Sequence, residues 1–282
     1  MPLAIDLFCG LGGWTEGLLE KGWDVIGFDI ERHEYWGPAV PETTGQKGTR
    51  PIEKRGWTQG CAVSLGLEGA GKKTSTTLHR YPAQLVVQDV LTLHGSQFKS
   101  ADLIVASPPC QEYSYMAMPW SRAKQIKRAL EGKDEFPEAY KGSRTTDELN
   151  KLFNACFRIQ REACETAERH IPMVVENVRG AQHWVGRAVW NFGSYYLWGD
   201  VPALMPLTLQ RNFKGSTDKR DGTGLFTSST VKCEGDWFSS GDGMSLQRAQ
   251  SSKSSARKHA SAMIAKIPAD LSRHIASVYW PR

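Results

Sequence analysis

The sequence has no long apolar run. Nothing in its 282 residues approaches the roughly 20 apolar residues that a membrane-spanning helix needs, so no membrane partner is expected. The start, Met-Pro-Leu-Ala-Ile-Asp-Leu-Phe-Cys-Gly, has no basic leader and too short an apolar stretch for a signal peptide. Cysteine is sparse. The six residues stand at 9, 61, 110, 156, 164 and 233 with no Cys-x-x-Cys pair, which argues against a zinc site or a disulfide framework and for a reducing cytosol. Nor is there a large charge excess: a net +5 and a pI near 8.8 are compatible with a polyanion partner without demanding one. The length suits one catalytic domain with a smaller region inserted or appended.

What is present is a set of short apolar strands, each ending in residues that carry chemistry. Leu3-Ala4-Ile5-Asp6-Leu7-Phe8 reads as a strand, Cys9-Gly10-Leu11-Gly12-Gly13 as a tight turn, and Trp14 to Glu20 as a helix. Glycines let a backbone approach a ligand, and the helix start offers free N–H groups. The spacing is not the dinucleotide pattern Gly-x-Gly-x-x-Gly, so the turn alone is a weak signal. Trp23 to Phe28 reads as a second strand ending at Asp29-Ile30. An acidic residue about 20 residues past such a turn is where ribose hydroxyls are bound, and turn capping is the competing role for Asp29.

Leu85-Val86-Val87-Gln88-Asp89-Val90 reads as a third strand and Asp102-Leu103-Ile104-Val105 as a fourth, leading into Ser107-Pro108-Pro109-Cys110-Gln111. Two prolines hold the thiol of Cys110 past a strand's carboxyl end, where open α/β sheets bind ligands. Residues 147 to 170 have the period of an amphipathic helix on one sheet face, with Cys156 and Cys164 read as structural. Pro172 to Val175 is a fifth strand ending in Glu176-Asn177-Val178, so a carboxylate reaches the edge that carries Cys110. Arg179 to Trp190 looks like a short helix, Tyr195 to Gly199 like a further strand, and Ala260 to Ile275 like a closing helix.

Three stretches break this rhythm. Residues 36 to 83 lack apolar periodicity, and between Gln46 and Tyr81 seven basic residues (Lys47, Arg50, Lys54, Arg55, Lys72, Lys73, Arg80) face only Glu53 and Glu68. This is either an insertion that touches phosphates or a solvated loop. Residues 212 to 258 are rich in Ser, Gly, Thr and Lys. Residues 115 to 145 mix basic residues with Trp120 and Phe136, as a mobile lid or an ordinary solvated helix would.

Pro109-Cys110-Gln111 resembles the nucleophile motif of the DNA cytosine-5 methyltransferases. Asp6 to Gly13, Asp29, Asp89 and Glu176-Asn177-Val178 resemble that family's other motifs, in order and at strand ends. The resemblance covers residues 1 to 35 and 84 to 200 well and implies a compact bacterial or phage member. It implies a Rossmann-like S-adenosylmethionine-dependent methyltransferase fold: a mostly parallel twisted sheet with helices on both faces, plus a small irregular recognition region. The domains expected are 1–200 for catalysis with the 36–83 insertion, 201–258 for target recognition, and 259–282 as a helix returning to the cofactor pocket. The chain would be a cytoplasmic monomer acting on double-stranded DNA, with no metal.

By that resemblance Cys110, Glu176 and Asn177 are catalytic, and Asp6, Leu7, Phe8, Gly10, Gly12, Gly13, Asp29, Ile30, Asp89, Val90 and Pro109 hold S-adenosylmethionine. Two departures stand out. The family's Gln-Arg-x-Arg segment has no counterpart beyond Gln210-Arg211-Asn212, with Arg179 or Arg187 as substitutes, and its final Gly-Asn-Ser is missing. The alternatives are a tRNA cytosine-5 methyltransferase, since relatives share Pro-Cys-Gln, and a catalytically impaired DNA or cofactor binder. Amino methyltransferases are disfavoured because position 110 is cysteine.

Overall fold

The computed structural model describes residues 1–38, 76–113, 120–205 and 254–281. Seven strands form one sheet: β1 (Leu3–Leu7), β2 (Asp24–Asp29), β5 (Gln84–Val87), β6 (Leu103–Ala106), β7 (Met173–Asn177), β8 (Trp190–Phe192) and β9 (Tyr195–Gly199). Between them in the chain lie β3 (Glu34–Pro38) and β4 (Thr76–Arg80), which form a ribbon of their own. The helices are α1 (Gly13–Glu20), α2 (Trp120–Leu130), α3 (Thr146–Ala167), α4 (Gln182–Val185), α5 (Ser255–Ala265) and α6 (Ala269–Val278).

The strand order is β5-β2-β1-β6-β7-β9-β8. Pairs from β5 to β7 are parallel; β9 runs antiparallel to β7, and β8 antiparallel to β9. This is a Rossmann-like, mostly parallel sheet whose order reverses beside β1, and it carries helices on both faces.

The central strands are apolar throughout because both faces are covered. Successive side chains go to opposite sides. Ile104 and Ala106 join Phe153, Cys156 and Ile159 of α3, while Leu103 and Val105 join Trp14 and Leu18 of α1 and Leu271 and Ile275 of α6. At α3, the Thr145 hydroxyl accepts from the Glu148 N–H at 3.1 Å, and the helix stops at Glu168 in the left-handed region. Helices α1 and α6 meet at Gly17, where a methyl group would lie 2.4 Å from Ser272 Oγ.

Three expectations change. The single helix expected over Arg179 to Trp190 is a 3-10 turn at Arg179–Ala181, then α4, then strand β8. Gly186, at φ 92°, turns the chain out of the helix, and Trp190 to Phe192 pairs with β9. The single closing helix is two, α5 and α6, because Pro268 follows an extended Lys266 and precedes a fresh helix start. The irregular 36–83 stretch rests on a strand pair in register from Glu34 with Arg80 to Pro38 with Thr76. Residues 39–75 of it, 114–119 of the expected lid and 206–253 of the expected recognition region lie outside the described residues. Among the described residues, no helix is long and apolar enough to cross a membrane, and no cluster of three or more His, Cys, Asp or Glu could hold a metal ion.

Candidate functional site

The carboxyl ends of β1, β6 and β7 lie side by side, with Leu7 paired to Ala106 and Ala106 to Val175. Each next residue therefore stands on one edge: Phe8, Ser107 and Glu176. Ser107 is anchored twice, its N–H donating to the Leu7 carbonyl at 3.1 Å and its hydroxyl accepting from Trp14 Nε1 at 2.9 Å. Asn177, with no exposed surface, donates from Nδ2 to the Pro108 carbonyl at 2.9 Å and accepts from the Val178 N–H at 2.8 Å. Pro108 is buried, Pro109 exposed and Cys110 half-buried. Beyond it the Tyr113 N–H closes a turn on the Cys110 carbonyl at 3.1 Å.

Glu176 is buried at 6% exposure. A carboxylate there is costly unless it meets a polar partner. The other cysteines have different surroundings. Burial pushes Cys156 up to about 12, and burial with the nearby Asp6 and Asp29 carboxylates raises Cys9 further, so both sit as inert thiols.

The glycine turn divides into a packed side and an open side. Phe8, Gly10 and Gly12 all have positive φ. A methyl group at Gly12 would sit 2.5 Å from Pro82 Cδ, and one at Gly13 would sit 2.4 Å from the Ile267 nitrogen. Those two glycines admit neighbouring chain. At Gly10 the same methyl group would meet nothing within 4 Å, so this residue faces open space.

The Gly10 N–H donates to Asp29 Oδ2 at 2.9 Å, while Asp29 Oδ1 accepts from the Ile30 N–H at 2.8 Å and lies 3.3 Å from His33 Nε2. Burial alone would raise the Asp29 carboxyl, but the His33 and Gly10 hydrogen bonds outweigh it and hold the group below its ordinary value. Beside Asp29, Ile30 is 69% exposed, and Val87, the residue paired with Asp29 across the strands, is 54% exposed. An ionised acid, an open glycine and two bare apolar side chains at one strand end suit an adenosine-type cofactor.

Other expected cofactor residues have partners or packing within the protein. Leu7 and Val90 are sealed in the core under the sheet edge. Asp6 is fully buried, its Oδ2 accepting from Thr15 Oγ1 at 2.6 Å and its Oδ1 unpartnered. Burial pushes its carboxyl up to about 7. Thr15 Oγ1 lies 2.7 Å from the Tyr81 hydroxyl, and the Tyr81 ring packs on Gly27. Asp89 accepts from the Leu91 N–H at 2.9 Å and so caps the 3-10 turn at Val90–Thr92. Arg179 and Arg187 are both exposed.

Sequence reasoning missed Thr15, His33, Tyr81, Tyr113 and Asn150. Asn150 alone carried a signal, a polar residue beside the apolar stripe of α3. In the described part of the expected lid, α2 buries Ala123, Ile126 and Ala129, and Ser143 donates to Glu112.

No family model matches the chain, and no curated protein does. Among solved structures, a protein described as a DNA modification methyltransferase encoded within an E. coli prophage aligns at 19% identity and TM-score 0.31, over 64% of this chain and 33% of its own. The Entamoeba histolytica methyltransferase EhMeth aligns at 14% and 0.29, over 66% and 41%. A mutant of Spodoptera frugiperda DNMT2 aligns at 15% and 0.27, over 65% and 37%. The chain thus spans well under half the length of these structures.

Proposed function

We propose that the protein transfers a methyl group from S-adenosylmethionine to carbon 5 of cytosine in double-stranded DNA. The observation that carries this reading is the Asn177-to-Pro108 hydrogen bond of 2.9 Å. It joins the turn bearing Cys110 to the strand end bearing Glu176, residues 66 positions apart in sequence. A thiol just past β6 and a buried carboxylate on the neighbouring strand β7, at the carboxyl edge of a parallel sheet, suit covalent activation of a pyrimidine.

Carbon 5 of cytosine is too weak a nucleophile unaided. The Cys110 thiolate adds to carbon 6 and makes carbon 5 enamine-like. Glu176 hydrogen-bonds ring nitrogen 3 and the exocyclic amine and stabilises charge developing there. Gly10, Asp29, Ile30 and Val87 would hold S-adenosylmethionine, which supplies an electrophilic methyl group. After carbon 5 is methylated, loss of its proton and elimination of the Cys110 thiolate restore the ring. The stack hides carbon 6 in a duplex, so the base must be extruded at a cost of a few kcal/mol. Phosphate contacts from the basic 36–83 segment would offset it.

The test is incubation with methyl-labelled S-adenosylmethionine and either duplex DNA or tRNA. Label in DNA, and a covalent adduct with 5-fluorocytosine duplex that Cys110→Ala abolishes, are expected. Label in tRNA alone would move the substrate to RNA; full activity of Cys110→Ala would overturn the chemistry.

A further inference from the structure

We propose that Tyr113 and Asn150 are positioning residues that set the thiol turn against the segment carrying Glu176. The inference rests on the proposed role of Cys110 and Glu176. Tyr113 is 3% and Asn150 7% exposed, so both polar groups are buried. The Tyr113 hydroxyl shares its one proton between Asn150 Oδ1 at 2.9 Å and the Leu149 carbonyl at 3.0 Å. Asn150 Nδ2 in turn donates to the Trp184 carbonyl at 3.0 Å. Trp184 lies in α4, eight residues beyond Glu176 in the same run of chain.

Through the Tyr113 N–H on the Cys110 carbonyl, the thiol turn is thereby tied across α3 to the chain that continues from the carboxylate. The Asn177 bond to the Pro108 carbonyl makes the corresponding tie before the cysteine. The turn is held on both sides.

Stability alone does not call for this arrangement. A phenylalanine at 113 and a leucine at 150 would fill the same space without desolvating a hydroxyl and an amide. What a fully partnered buried bridge adds is a defined geometry between the loops it joins. Reaction between a thiol and a ring carbon is sensitive to that geometry, since a misplacement of about 1 Å costs on the order of 100-fold in rate.

The experiment compares wild type, Tyr113→Phe, Asn150→Leu and the double variant in single-turnover methylation, donor binding, thermal melting and alkylation of Cys110 followed by peptide mass spectrometry. Each single variant is expected to slow turnover about 10- to 100-fold. Donor affinity should stay within about twofold and the double variant should be no slower than the worse single one, because one bridge is lost either way. Cys110 alkylation is expected to change at least about threefold in Tyr113→Phe, while Cys156, locked in the core, stays unreactive. Unchanged turnover in a folded Asn150→Leu, additive losses, or losses that track donor affinity would overturn the bridge. Wild type inactive on every cytosine substrate would overturn the proposed function instead, and the alkylation comparison would still decide whether the bridge positions the thiol.

Discussion

Asn177 Nδ2 donates to the Pro108 carbonyl at 2.9 Å and so joins the strand end that holds Glu176 to the prolines ahead of Cys110. Both partners are buried, so removing the amide leaves a desolvated carbonyl.

Asn177→Leu should therefore slow turnover in protein that still folds. We expect a rate loss of about 100-fold against a stability loss of about 1–3 kcal/mol. Single-turnover kinetics alongside denaturant titration checks this; a stability loss with unaltered rate would make the asparagine purely structural.

Asp29→Ala should weaken S-adenosylmethionine much more than DNA, because the Gly10 N–H and the His33 ring lose their shared acceptor at the open end of the turn. Calorimetric titration with each ligand separately reads it out. An equal loss of both would reject the ribose assignment.

The buried Asp6 carboxyl makes stability depend on pH. Its folded value, near 7, lies above the unfolded 3.8, so the native protein holds a proton that the unfolded chain has released. Stability from this group is complete below pH 3.8, falls as pH rises toward 7, and is flat above. Asp6→Asn keeps the shape and removes the titration. Its advantage over wild type should grow across that window to on the order of 2–4 kcal/mol by pH 8. Urea unfolding at pH 5, 6, 7 and 8 tests it, and a constant difference would mean that Asp6 stays ionised.

Gly27→Ala should be severely destabilising, since its methyl group would lie 2.3 Å from Tyr81 Cζ. Opening that space with Tyr81→Ala in the same chain should recover part of the loss, a non-additivity that chemical denaturation would detect. Two independent losses would show that the ring can move aside.

The β-strands of the parallel core were legible from sequence because strands covered on both faces read as short apolar runs, as Leu103 to Ala106 does. The places of Cys110 and Glu176, past β6 and at the end of β7, were legible because each follows directly on such an apolar run. The β3–β4 ribbon was hidden, since Thr-Thr-Leu-His-Arg carries no apolar alternation and pairs with a partner some 40 residues earlier. Leu7 and Val90 were given to the cofactor by resemblance; their side chains lie in the core, Leu7 at the end of β1 and Val90 at the start of a 3-10 turn.

Local chemistry in the sequence determined which residues end the strands and where helices cannot continue, because those limits act within a few residues. Which ends became neighbours was decided only in three dimensions. Strand order and register brought Asn177 to Pro108, Asn150 to Tyr113 and Tyr81 to Thr15, and pairings across such distances depend on how whole layers pack.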